Sequence, residues 1–345
     1  MRKLFLLTWL QLGSTAAFSQ TLPYVKFVNP PADDLIHIQR TNLVVRWKAS
    51  PHPWPKTVWT YRVRPSEPSP LVISNLMALG PFTDKDRTYS GTNGMVFGHP
   101  YATPYLDINF IAGTIDYDWG ERNYTPASLA IDVPGTNQLV RLATNLVSQI
   151  GISPAEIAKR ENGQLRISWP DPSDSYSFFF LPDHTVISNA TLRQVWLHRA
   201  LDGVEFNYGA GGCEIWFGEH SHVIKLRLDW RAVERDKQYA AATPDHIIQW
   251  IREGRAIQKR MLTGHGGETF IDWPNVKSLT VRRAKAYYWG EFFGPSIAAH
   301  PSLPSWVWPY AEISGTVDTG KTNLNVEIVC PIIDETQSPD VKHSR

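Results

Sequence analysis

The chain has 345 residues, 42% of them hydrophobic and 19% charged, a balance that excludes intrinsic disorder as the default state. Its formal net charge is +1 and falls to about −1 if Arg2 and Lys3 leave with a leader, so no basic field invites nucleic acid. Two cysteines are too few for a disulfide-built scaffold, and the length suits one large or two modest domains.

Residues 1–19 combine a basic start, an apolar run from Leu4 to Phe18 and a small-residue site at Ala17–Ser19, the features of a cleavable signal peptide. The run falls short of the ~20 apolar residues that span a bilayer. The mature chain is therefore expected to be exported, periplasmic or extracellular, without a membrane span. Residues 20–55 form a proline-rich arm, punctuated by Asn29-Pro30-Pro31 and Ser50–Pro55, with room for one edge strand at Leu43–Trp47.

A first unit is expected over residues 56–162. Val58–Val63 reads as a strand, and Ser69-Pro70 opens a short capped helix. Thr83–Pro104 is polar and glycine-rich, a loop or an irregular strand pair. Leu106, Ile108 and Phe110 alternate with Asp107 and Asn109, Ala112-Gly113 turns the chain, and Ile115 and Tyr117 continue on the return strand. Leu139, Leu142, Ala143, Leu146, Val147 and Ile150 then recur at helical spacing after Thr136, with Gly151 as the stop.

A second unit is expected over residues 163–335. Its centre is the meander Thr191–Trp230, in which Asp202-Gly203 closes a tight hairpin, Cys213, Ile215 and Phe217 share one apolar face, and Leu226 and Leu228 alternate with Arg227 and Asp229. The amphipathic helix Thr243–Gly254 is the expected cover for that face. Further strands are expected over Val276–Phe293 and Trp306–Pro331, and residues 336–345 read as a disordered tail. The order of hairpin, polar connection and amphipathic helix occurs in both units, as a tandem repeat would.

The second unit, with its Asp202-Gly203 turn, glycine-rich bend, hairpin ending in Trp230-Arg231 and helix closed by Glu253-Gly254, resembles the PepSY-type domain. Similar units occur in propeptides of secreted metalloproteases and in YycI-type extracytoplasmic regulators. The resemblance implies an α+β fold of two related units of antiparallel sheet, each flanked by an amphipathic helix, and a binding or regulatory role without catalysis. The chain departs from these families in that no protease domain follows and the leader reads as cleavable.

No G-x-S-x-G, H-E-x-x-H, Walker or C-x-x-C motif occurs, and no cofactor is expected. The expected function is that of an exported module binding a protein or peptide partner. The alternative is an exported hydrolase or carbohydrate-binding protein with an aromatic-lined cleft, drawing on Asp116, Asp118 and Glu219 and on fourteen tryptophans. Trp306, Trp308 and Tyr310 share one face of an extended segment and would form a stacking platform if exposed, or core if buried. Proline at 309 assigns that segment to a sheet edge. His220 and His222 would meet a metal together with His265 or Glu219, or else belong to a solvated turn. Cys213 and Cys330, both on apolar faces in an oxidising compartment, are the candidate disulfide, the other reading being two buried thiols.

Overall fold

The computed structural model describes residues 36–38, 42–49, 54–99, 103–120, 132–160, 162–168, 174–181, 184–206, 211–258, 271–289 and 306–333. The expected signal peptide over residues 1–19, most of residues 20–55, His265 and residues 336–345 lie outside them. In chain order the strands are β1 (Ile36–His37), β2 (Val44–Trp47), β3 (Thr57–Arg64), β4 (Arg87–Gly91), β5 (Gly94–Gly98), β6 (Tyr105–Asn109), β7 (Thr114–Asp118), β8 (Ile167–Ser168), β9 (Asp174–Phe180) and β10 (Val186–His198). They continue as β11 (Ala200–Leu201), β12 (Val204–Phe206), β13 (Gly212–Phe217), β14 (Val223–Asp229), β15 (Ala232–Ala240), β16 (Ile257–Gln258), β17 (Ser278–Trp289), β18 (Trp306–Asp318) and β19 (Asn323–Pro331). The α-helices are α1 (Pro70–Met77), α2 (Thr136–Gln149) and α3 (Pro244–Arg252).

Strands make up 49% of the described residues against 19% helix, in three sheets with three α-helices, so the expected α+β fold of two helix-flanked sheet units is corrected to a mostly β one. The α+β architecture implied by the PepSY resemblance falls with it. The physical reason lies at the strand edges. Periodicity marks β7 and β14 as strands without saying that they pair, yet their open edges satisfy one another and fuse two hairpins into one sheet.

That first sheet runs β4-β5-β6-β7-β14-β13-β10-β8, with β9 also on β10, and unites strands from both sides of the 162/163 boundary. Its core face is closed by α2, whose Leu139, Ala143, Leu146 and Val147 form one stripe against Leu106, Tyr117, Val195, Ile215 and Leu226. The meander is thus covered by α2. α3, the expected cover, instead packs Ile247, Trp250 and Ile251 into a second core with Leu279, Ile313 and Ile328.

The second sheet runs β1-β16-β19-β18-β17-β12-β11, with β2 also on β17, and the third, the β3–β15 pair, joins it where β3 meets β18. Asp202 (φ 50°) and Gly203 (φ 79°) form the expected two-residue turn between β11 and β12. This hairpin leaves the first sheet, however, and β12 pairs in parallel with β17 of the second. Polar anchors hold it at the junction. Arg199 donates to Glu156 Oε2 (2.7 and 3.0 Å) and to the Arg231 carbonyl (2.7 Å), between the rings of Phe206 and Trp230. Glu205 accepts from Arg166 and, at 2.7 Å, from Lys285. No helix among the described residues is long and apolar enough to cross a membrane.

Candidate functional site on the open face of the first sheet

Alternation on β6 and β7 sends Leu106, Ile108, Ile115 and Tyr117 into the first core, which leaves Tyr105, Asp107, Asp116 and Asp118 on the opposite face. The register extends that face across the sheet. Asp107 lies directly opposite Asp116, Asp116 opposite Arg227, Arg227 opposite Glu214 and Glu214 opposite Trp196. In the other direction Asp107 adjoins Val96, and Val96 adjoins Tyr89 on the edge strand β4. A second row runs beside it through Tyr105, Asp118, Lys225, Trp216 and Gln194. Gln194 alone among these side chains is buried, while Tyr89 is 46% and Arg227 54% exposed.

The polar groups are partly matched. Tyr105 donates its hydroxyl to Asp116 Oδ2 at 3.0 Å, and Lys225 donates to Asp118 Oδ2 at 2.9 Å. Trp216 Nε1 donates to Glu214 Oε1 at 2.7 Å, and Gln194 donates to the same oxygen. Arg227 Nε stands 3.9 Å from Asp116 Oδ1, too far for a hydrogen bond. Among the described residues no cation pairs with Asp107. Burial, and next the charge on Asp116, push its carboxyl up to about 6, and burial followed by the same charge raises the Tyr105 hydroxyl. Asp107 Oδ1 and Asp116 Oδ1 are both shielded without a hydrogen-bond partner among the described residues. Like charges directly opposite across a ladder are destabilising, so this arrangement works against stability.

The sequence pointed to Asp116 and Asp118. They do share a strand face, but the residue facing Asp116 across the ladder is Asp107, which sequence reasoning passed over. The signal was present: the apolar alternation on both sides of Ala112-Gly113 fixes the hairpin register and with it the Asp107–Asp116 pair.

The other candidates are placed elsewhere. Trp306, Trp308 and Tyr310 begin β18, which is a central strand and not the expected edge, lying between β17 on one side and β19 and β3 on the other. The register sets Trp306 opposite Arg62, Trp308 opposite Trp289, and Tyr310, which is half-buried, opposite Tyr287. Pro309 is tolerated in mid-strand because β18 exchanges β19 for β3 as its neighbour there, which interrupts a ladder. His220 and Ser221 occupy a tight turn with φ of 56° and 66°, and His220 Nε2 lies 3.3 Å from Glu219 Oε1. His222 is exposed, His265 lies outside the described residues, and among the described residues no three His, Cys, Asp or Glu converge as a metal site. Cys213 and Cys330 are free and buried, one in each of the first two cores, so the expected disulfide is corrected to two separate thiols. Their strands belong to different sheets, and burial raises both thiols.

No protein-family model matches the chain, and no curated protein matches it in sequence.

Proposed function

We propose that the chain is a saccharide-binding protein whose binding surface is the open face of the first sheet. The observation that carries this is the double row of side chains in which rings at Tyr89, Tyr105, Trp216 and Trp196 flank Asp107, Asp116, Asp118, Lys225, Arg227 and Glu214. Rings offer flat apolar faces to the C–H faces of a sugar, while carboxylates accept from its hydroxyls and Lys225 and Arg227 donate to its oxygens. A paired sheet backed by a packed core holds these groups at fixed spacing, which lowers the ordering cost of binding. The leader at residues 1–19 supports an extracytoplasmic setting for this activity.

A protein or peptide partner is the second reading, favoured by one observation. Residues Arg87–Ser90 of the edge strand β4 are exposed, and an extended segment added beside them would continue the sheet. Affinity electrophoresis separates the two. In native gels cast with hydroxyethylcellulose or glycol chitosan, retardation that Trp216→Ala abolishes supports the saccharide reading. Unchanged mobility in both gels would count against it.

A further inference from the structure

Building on that reading, we infer that the open face is a linear, multi-ring site that takes a neutral or amino-bearing saccharide polymer lying across the strands and discriminates by chain length. Each ring stands on a different strand: Tyr89 on β4, Tyr105 on β6, Trp216 on β13 and Trp196 on β10. The row from Tyr89 to Trp196 crosses β4, β5, β6, β7, β14, β13 and β10. At about 4.8 Å per strand step, this is a track of roughly 29 Å. By the same spacing Tyr105 stands about 10 Å across from Tyr89, and Trp216 about 14 Å beyond Tyr105. A single sugar meets one ring at most, whereas a chain meets several in succession. Each further contact then adds to an association whose translational cost is already met.

Charge narrows the class. Asp107, Asp116, Asp118 and Glu214 outnumber Lys225 and Arg227 along the rows, and both cations already face carboxylates. An acidic polymer would meet uncompensated carboxylates. A neutral one meets acceptors for its hydroxyls, and an amino-bearing one meets Asp107, which no cation among the described residues faces.

Calorimetric titration of the full chain with cello-oligosaccharides and chitosan oligosaccharides of two to six sugars tests this, with oligogalacturonates as the acidic series. Affinity in at least one of the first two series is expected to climb about tenfold or more between dimer and hexamer, with the acidic series weaker throughout. Tyr89→Ala, at an exposed position where folding is least at risk, is expected to weaken the hexamer by about fivefold and the trimer by less. Its thermal unfolding reports that the fold is retained. Binding that does not vary with length, or a Tyr89→Ala loss equal at all lengths, would overturn the linear site and leave the saccharide reading standing. No binding in any series would overturn both.

Discussion

Replacing Asp107 by Asn removes one charge from a pair held directly opposite across the β6–β7 ladder. The Asp107 carboxyl is pushed from 3.8 up to about 6, by burial and then by Asp116. Its folded value is raised, so the folded protein holds this proton more tightly than the unfolded chain does. Stability therefore falls as pH rises from about 4 through 6, and the full penalty stands above that window. Two units at 1.36 kcal/mol each set an upper bound near 3 kcal/mol, and screening at a half-open side chain reduces it to about 1 kcal/mol. Asp107→Asn should thus raise the melting temperature by about 1 to 2 °C at pH 7.5 and by nothing measurable near pH 3.5. Scanning calorimetry of wild type and variant across that range is the assay. A variant less stable than wild type at pH 7.5, or a difference that does not change with pH, would refute the reasoning. The same variant should bind saccharide more weakly, as expected where a binding surface is maintained against stability.

Gly113 has φ of +62°, and a Cβ there would lie 2.6 Å from the Arg231 Cα, so Gly113→Ala should cost about 2 kcal/mol or more in urea unfolding. Glu205→Gln leaves Arg166 and Lys285 facing a neutral amide at the junction of the sheets; because Glu205 is buried but Arg166 is about one-third open, a loss of about 2 kcal/mol is expected, larger at low salt. Alkylation under denaturing, non-reducing conditions should modify both Cys213 and Cys330, and native protein should resist the reagent at both; a single disulfide-linked species would contradict the two-core arrangement.

Local pattern was legible where one face of a strand is apolar. The β6–β7 hairpin, the β13–β14 hairpin and α2 all follow from alternation or helical spacing in the sequence. Partner choice was not, because it depends on which open edges meet in three dimensions. Asp202-Gly203 announced its turn, yet nothing local says that β12 will join β17. α3 carries an amphipathic stripe that would suit either sheet, and it covers the second. Thr83–Pro104, expected as a loop or irregular pair, contains β4 and β5, whose glycines and short alternation gave little period to read. The site suffered for the same reason. Trp216 and Glu214 could have been placed opposite the apolar face of Cys213, Ile215 and Phe217, but only the pairing of β7 with β14 brings them into line with Asp116. The dense aromatics near Trp306 drew attention because they are close in sequence, whereas the open-face rings come from four strands spread between Tyr89 and Trp216.

Hydroxyl-radical footprinting of the full chain, with and without a saturating saccharide polymer, tests the central claim most directly. Protection is expected at Tyr89, Tyr105, Trp196 and Trp216 together, with Trp119 and Tyr310 unchanged. Protection confined to Tyr310 and its neighbours, or none at the four open-face rings under conditions where the polymer is bound, would contradict the account.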